Sequence, residues 1–150
     1  MAKPARRATS KLWACPRCGH RFVTRNLWHS CVRIPLRTHF AGARATLRPA
    51  YRAVLAAARR AGPVRAYAQK TRIVLQARVR FASVIVRAGS LDLGLWLRRR
   101  VEHPRMIRTE SLGRLGFGVH FRVAAPGDID SALRALIREA RRAGAPSRTR

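Results

Sequence analysis

Apolar residues recur every three to four positions in the first half of the chain, and this spacing predicts an α-helix over residues 49–61. The positions that would share its buried face are Tyr51, Val54, Leu55 and Ala58. Arg59 and Arg60 suit the carboxyl end of a helix, and Gly62 with Pro63 would stop it because proline cannot continue a helix. This segment therefore predicts the first helix of a packed domain.

A second helical stripe lies near the end of the chain. Its apolar members are Ile129, Leu133, Leu136, Ile137 and Ala140. Asp128 is the predicted N-cap, since its carboxylate can accept a hydrogen bond from a backbone N–H that the helix leaves unpaired. Asp130 would lie in the first turn, where a negative charge is favourable. The chain is thus expected to close with a helix that buries one face.

Between these helices the apolar period falls from about 3.6 residues to two, which is the period of a half-buried strand. The predicted strands cover residues 72–81, with 83–87 continuing or following the first, then 91–97, 106–111 and 117–123. The inward positions of the first strand would be Ile73, Leu75, Ala77, Val79 and Phe81. The pattern predicts an α+β fold, in which an antiparallel sheet of four to five strands is flanked by an N-terminal and a C-terminal helix.

The charge balance changes what such a fold is expected to bind. The chain carries 33 Lys and Arg residues against 6 Asp and Glu residues, a formal net charge of +27, and its first acidic residue is Asp92. Such an excess attracts polyanions, with DNA or RNA as the first expectation and an anionic membrane as the second, and the same charge would attract an acidic protein partner. The alternative is that the arginine content reflects a GC-rich genome and serves no dedicated partner.

Hydropathy argues against a membrane protein. No apolar run approaches the ~20 residues that a transmembrane helix needs. The first eleven residues are basic and lack the apolar segment of a secretion signal. Three cysteines, two of them in a CxxC pair, suit a reducing compartment and a metal better than disulfides. We therefore expect a cytoplasmic protein without a membrane partner.

All three cysteines lie close together in the N-terminal region, in a CxxC pair followed by an HxC pair. The candidate metal ligands are Cys15, Cys18, His29 and Cys31. Three thiolates and an imidazole are enough for one tetrahedral Zn²⁺ ion, and four protein ligands would make the site structural rather than catalytic. The HxC spacing is tight, so His20 and His39 remain alternative nitrogen ligands. The sequence predicts a small zinc-binding arm in front of the sheet.

These features divide the chain into four parts. Residues 1–11 read as a disordered basic tail and residues 12–34 as the zinc-binding knuckle. Residues 44–143 form the α+β domain, and residues 144–150 a second disordered tail.

Four short runs also resemble a known family. They are LWACPRC at 12–18, WHSC at 28–31, GPVRAYAQKTRI at 62–73 and VEHPR at 101–105. In combination they resemble the bacterial family called domain of unknown function 5655 (DUF5655), here with a zinc-ribbon-like N-terminus, over roughly residues 12–143. The resemblance implies a compact α+β domain without an established reaction, so it informs the fold more than the function.

Basic residues alternate with the apolar positions along the predicted strands, and would project from the opposite side of the sheet. The candidate nucleic-acid-binding residues are Lys70, Arg72, Arg78, Arg80, Trp96, Arg98, His120 and Arg122. The guanidinium of arginine can donate two parallel hydrogen bonds to a phosphate, and an exposed tryptophan can stack on a base. These residues predict binding without sequence specificity, because no reader motif is visible. The alternative is a solvated sheet face coated with arginine.

Two other classes of function remain open. The arm could dock a protein partner through Trp13, Phe22 and Trp28, which would otherwise pack around the metal. An enzyme is the third class, with Lys70, His103, Glu110 and His120 as residues that could converge on a substrate. Their separation along the chain gives no geometric support for that convergence, and no familiar catalytic motif is present.

Overall fold

The structure, a computed structural model, describes residues 11–145. The α+β class is confirmed. The α-helices are α1 (Leu47–Arg59) and α2 (Ser131–Ala143), and the strands are β1 (Trp13–Ala14), β2 (Arg21–Phe22), β3 (Arg65–Ala68), β4 (Ile73–Gln76), β5 (Arg80–Val86), β6 (Leu91–Leu97), β7 (Met106–Ser111) and β8 (Phe117–Val123). The predicted tails lie outside the described residues, except for Lys11, Gly144 and Ala145. Within the described part, neither α-helix has the length and apolarity needed to cross a bilayer.

A six-stranded antiparallel sheet in the order β3-β4-β5-β6-β8-β7 is the centre of the molecule. Both α-helices pack on one of its faces, which we call the helical face. The inward side chains of the central strand β6 are Leu91, Leu93, Leu95 and Leu97, all fully buried in this layer. The stripes predicted for the two helices supply the other half of the core, through Val54, Leu133 and Ile137 among others.

The prediction of four to five strands is wrong by one or two. The predicted strand over 72–81 is two strands, because the chain reverses between Gln76 and Arg80 and leaves Val79 42% exposed. No glycine or proline signals this turn. It is held by a tertiary contact instead, since the carbonyl of Gly144 accepts hydrogen bonds from the backbone N–H groups of Arg78 and Val79, both at 3.0 Å. Strand β3 was missed because its four residues are too few to show a period.

A β-bulge follows this turn and decides which side chains face the core. Leu75 pairs with Ala82 and Gln76 pairs with Arg80, so Phe81 is the extra residue on β5. Phe81 is buried in the core, where it lies against Gly144. Arg80 lies on the other face of the sheet, because a bulge shifts the alternation by one residue.

The N-cap of α2 is Asp130 rather than the predicted Asp128. The backbone N–H of Leu133 donates to Asp130 Oδ1 at 2.7 Å, and this bond lowers the pKa of Asp130. Asp128 lies one turn earlier, in the short 3₁₀ turn Pro126–Asp128, and forms an ion pair with Arg105 at 2.7 Å. Asp128 therefore caps the 3₁₀ turn, and Asp130 caps the α-helix that follows it.

Residues 12–34 form an arm that lies on the other face of the sheet, which we call the open face. The ring of His20 stacks on Tyr67 with centroids 4.3 Å apart, and Gln76 Nε2 donates to the carbonyl of Arg21 at 2.7 Å. Ile34 forms a β-bridge with Ala68 where the arm joins the sheet edge. The arm covers the open face at β3, β4 and the start of β5, where Arg80 lies over Phe22, whereas Trp96 on β6 and Arg122 on β8 remain exposed.

We expect Gly116→Ala to lower the free energy of unfolding by about 2–4 kcal/mol. Gly116 has φ +107°, and an added Cβ would lie 2.3 Å from the carbonyl oxygen of Leu97. Gly113→Ala is the matched control, because its φ is +61° and nothing lies within 4 Å of an added Cβ. Urea denaturation should give a loss of only about 1 kcal/mol for the control. Equal losses in the two variants would contradict the close approach at Gly116.

Candidate metal centre and open-face cluster

The four predicted metal ligands meet at one point of the arm. Their ligand atoms all lie within 4.8 Å of one another. Cys18 Sγ lies 3.2 Å from His29 Nε2, and Cys15 Sγ lies 3.8 Å from Cys31 Sγ. Two Zn–S bonds of tetrahedral geometry place their sulfurs roughly 3.8 Å apart, so the spacing fits such an ion. This Cys₃His group could hold one metal ion.

Local hydrogen bonds shape the loop that carries these ligands. The turn after β1 is closed by the N–H of Gly19, which donates to the carbonyl of Cys15 at 2.8 Å, and Gly19 takes φ +73°. His29 Nδ1–H donates to the carbonyl of Leu27 at 2.6 Å. That bond fixes the tautomer and leaves the Nε2 lone pair directed at the cysteines, as in known metal sites.

The two alternative nitrogen ligands are engaged elsewhere. His20 stacks on Tyr67, and burial lowers the pKa of its imidazole. His39 Nε2–H donates to the carbonyl of Gln69 at 2.8 Å. Of the three histidines in this region, His29 is therefore the one that joins the cysteine cluster.

The thiols of the cluster differ in acidity. The pKa of Cys15 is lowered to about 6, chiefly because the backbone N–H of Cys18 donates to its sulfur. The pKa of Cys31 is raised to about 11, chiefly because burial disfavours the charged form. A divalent metal that binds all three sulfurs would therefore displace protons as it enters.

The predicted nucleic-acid-binding residues fall into two groups. On the open face, Trp96 pairs with Gly118, Gly94 pairs with His120 and Asp92 pairs with Arg122, so Trp96, His120 and Arg122 share one surface. Arg98 is exposed just beyond the end of β6. Trp96 itself is 38% exposed.

The remaining residues of that prediction lie towards the arm or beyond it. Arg80 is placed over the rings of Phe22 and Tyr67, 5.7 and 5.8 Å from their centroids, so it joins the arm to the sheet. Arg78 lies half-buried in the β4–β5 turn. Lys70 and Arg72 are exposed between β3 and β4, at the sheet edge most distant from β7.

A cleft separates the arm from the accessible part of the open face. Its volume is about 560 Å³. The walls are largely apolar and include Phe22, Leu27, Trp96, Leu112 and Leu115, and its charged lining residues are Arg78, Arg80 and Arg98. The cleft can therefore accept a flat apolar group with a negative charge beside it.

Beside this cleft the structure assembles an ionic cluster that sequence reasoning only partly anticipated. His120 Nδ1 lies 2.8 Å from Asp92 Oδ1, and His120 Nε2 lies 3.9 Å from Glu110 Oε1. Arg108 reaches both carboxylates, at 3.7 Å from Asp92 Oδ2 and 3.1 Å from Glu110 Oε1. We call Asp92, Arg108, Glu110 and His120 the open-face cluster.

Of the four residues considered for catalysis, only Glu110 and His120 converge. His103 lies near the start of α2, where it pairs with Asp130 at 3.1 Å, and Lys70 lies at the opposite edge of the sheet. Asp92 and Arg108 were missed. The available signal was an acidic residue on the polar side of a leucine-rich strand, in a chain with only 6 acidic residues.

Comparison with known proteins gives one match. The model of the family described as domain of unknown function (DUF5655) matches residues 37–141. No curated protein matches the chain, and no solved structure does either. The resemblance noted from the sequence is thereby confirmed for most of the chain, and the arm lies outside the matched residues.

We expect Cys18→Ser to abolish metal binding, because it removes a thiolate that lies 3.2 Å from the imidazole of the same site. Metal content per chain, measured after loading with a divalent metal and dialysis against metal-free buffer, should fall from one equivalent to none. Limited proteolysis should then cut within residues 12–34 while the sheet domain stays intact.

His39→Asn is the control for His29→Asn. Both remove an imidazole from the N-terminal region, but His39 is held by the carbonyl of Gln69 and not by the cysteine cluster. The His39 variant should keep one equivalent of bound metal, and the His29 variant should release the metal at a lower chelator concentration than the wild type. The reverse order would show that the nitrogen ligand is misassigned.

Proposed function

Since the chain belongs to the DUF5655 family, whose description assigns no activity, we propose from its residues that it binds nucleic acid without sequence specificity, through arginine–phosphate contacts. The observation that carries this proposal is the surplus of cations over carboxylates that remains after the ion pairs of the fold are formed.

Four of the six acidic side chains already pair with arginines of the same chain, and a fifth, Asp130, pairs with His103. The four are Asp92, Glu110, Asp128 and Glu139. The 33 Lys and Arg residues far outnumber these partners. Between residues 11 and 145, most arginines therefore have no carboxylate partner, and a polyanion would gain both Coulomb energy and counterion release on binding.

Exposed aromatic rings accompany the arginines on the side of the molecule that the arm and the open face share. Trp28 of the arm is 91% exposed, and Trp96 lines the cleft. Bases stack on such rings with little regard to sequence, whereas arginines hold the backbone. This combination favours single-stranded over double-stranded nucleic acid.

In this proposal the metal is a structural Zn²⁺ ion. Three thiolates and one imidazole are a donor set that zinc prefers, and four protein ligands leave no position for a substrate. Its function would be to order the arm, which carries Arg17, Arg21 and Arg25 as exposed cations. The metal thus supports binding without taking part in chemistry.

A second candidate function is docking of a protein partner through the arm. Trp28, Val32 and Leu27 are exposed apolar side chains on this small unit. An acidic partner would be attracted by the same charge that attracts nucleic acid. Competition separates the two, because a specific protein contact survives about 0.3 M salt better than a phosphate contact does.

We expect Arg98→Gln combined with Arg122→Gln to weaken binding of a labelled single-stranded oligonucleotide by the zinc-loaded protein. Fluorescence anisotropy across a salt series measures the effect. The slope of log K against log salt should fall in magnitude by about 1.4, since each lost phosphate contact on a single strand removes about 0.7.

Arg52→Gln combined with Arg59→Gln is the matched control, because it removes the same charge from α1 on the helical side of the sheet. The control should keep the slope of the wild type. If both double variants lower the slope equally, the charge acts without a defined surface. If the wild type does not bind near 0.15 M salt, the charge is compositional and the proposal fails.

A further inference from the structure

The open-face cluster combines three groups that together suit acid–base chemistry on a phosphate ester. Glu110 and Arg108 come from β7, and His120 comes from the adjacent strand β8. In the register Arg108 pairs with His120, and Glu110 pairs with Gly118. A carboxylate, an imidazole and a guanidinium therefore lie side by side on the accessible part of the sheet.

Asp92 determines how the imidazole of His120 is used. The Asp92 side chain is almost entirely buried, with the residue 3% exposed, and its Oδ1 lies 2.8 Å from His120 Nδ1. Nδ1–H therefore donates to Asp92, and Nε2 is left on the side of Glu110. With Nδ1 engaged by Asp92, Nε2 is the ring nitrogen through which His120 can take up and release a proton.

The two glycines of this surface differ in how closely side chains pack on them. A Cβ on Gly94 would lie 3.2 Å from His120 Cε1. A Cβ on Gly118 would lie 3.9 Å from Glu110 Oε2 and 3.9 Å from Trp96 Cδ1. Side chains therefore pack closely on Gly94, whereas Gly118 leaves room for one more carbon atom between Trp96 and Glu110. Trp96 and Leu112, which both flank Gly118, also line the cleft, so the cluster adjoins it.

We propose that the open-face cluster cleaves RNA, with a base in the cleft beside Trp96 and the scissile phosphate over Gly118, between Glu110 and His120. The inference rests on the proposed nucleic-acid binding and gives it a substrate class. Glu110 has a half-exposed side chain, so its carboxylate can move outward from its 3.9 Å separation to admit the phosphate. Arg108 then binds a non-bridging phosphate oxygen.

The reaction is an internal transesterification that needs no other reactant. Glu110 takes the proton of the ribose 2′-hydroxyl, and the 2′-oxygen forms a bond to phosphorus. The bond from phosphorus to the 5′-oxygen of the next nucleotide breaks, and His120 Nε2 gives that oxygen its proton. The products are a 2′,3′-cyclic phosphate and a 5′-hydroxyl. Transfer of the proton from Glu110 to His120 through solvent restores the starting state.

The composition of the cluster favours RNA over DNA. Its only carboxylates are Asp92 and Glu110, and Asp92 is buried and committed to His120 and to nearby arginines. One acid–base pair suffices when the substrate carries its own nucleophile, as RNA does at the 2′-hydroxyl. DNA lacks that hydroxyl, so it is expected to bind without being cleaved.

The test uses the zinc-loaded full chain and a fluorescent RNA oligonucleotide, with anisotropy and cleavage measured on the same samples. Glu110→Gln and His120→Asn should each slow cleavage by about 10²–10⁴-fold, with the dissociation constant little changed. Glu139→Gln is the matched control, because it removes the same charge from α2 on the helical side and should cleave at the wild-type rate. The Glu110→Gln and His120→Asn variants, purified in parallel, also reveal any contaminating nuclease, because a contaminant would cleave RNA in these samples too.

Two substrates test the mechanism. An RNA with one 2′-deoxynucleotide should be cut everywhere except after that position, and mass spectrometry should find cyclic phosphate ends. A nucleoside 3′-(p-nitrophenyl phosphate) has a leaving group that needs no proton. His120→Asn and the positioning variant Asp92→Asn should regain most of the wild-type rate on it, whereas Glu110→Gln should not.

The outcomes separate this proposal from the one on which it rests. RNA that is bound but not cleaved overturns catalysis and leaves nucleic-acid binding intact. RNA that is not bound overturns both. Cleavage that survives Glu110→Gln, a variant at a half-exposed position that should fold normally, or cleavage after a 2′-deoxynucleotide, also overturns the proposed mechanism.

Discussion

The burial of the β6 leucines against the two helices is the constraint on which the rest of the structure depends. Because side chains alternate along a strand, placing Leu91, Leu93 and Leu95 in the core forces Asp92 and Gly94 onto the open face. A slip of one residue would bury a carboxylate among apolar side chains and expose the leucines. Packing on one side of the sheet therefore fixes the position of the polar chemistry on the other side.

The arm depends on this sheet as much as on its own cysteines. Its apolar contribution is small, and it is held by stacking of His20 on Tyr67 and by Arg80, which lies over Phe22. Zn²⁺ bound to three thiolates and a neutral imidazole carries a net negative charge. The guanidiniums of Arg33 and Arg65 donate to carbonyls in the turn that carries Cys18, and so place positive charge beside that site.

The spacing of apolar residues predicted those helices and strands that bury one face along their whole length. Both helices and strands β6 and β8 lie where the pattern placed them, because one face of each is buried along its whole length. The pattern failed where a tertiary contact decides the outcome. The turn at Val79 interrupts an alternation that continues on both sides of it, and the carbonyl of Gly144 that helps to hold the turn comes from the far end of the chain.

The two candidate sites likewise differ in how far the sequence could predict them. The cysteine cluster is local, with all its ligands within seventeen residues, so spacing alone identified it. The open-face cluster joins three strands, and its closest contact joins Asp92 to His120 across 28 positions of the chain. Such a pairing depends on the strand register, which a single sequence does not contain. Composition could therefore identify Glu110 and His120 as candidates but could not place them together.

The way in which the sheet ends has a consequence for association between molecules. An antiparallel sheet has two outer strands whose backbone groups can pair with a strand of another chain. At one end, Ile34 forms a bridge to Ala68 of β3, so the arm occupies part of that edge. At the other end, β7 has an irregular register between Met106 and Arg108 and carries charged side chains. Irregularity and charge are both devices that discourage edge-to-edge aggregation, so both ends of the sheet are protected from it.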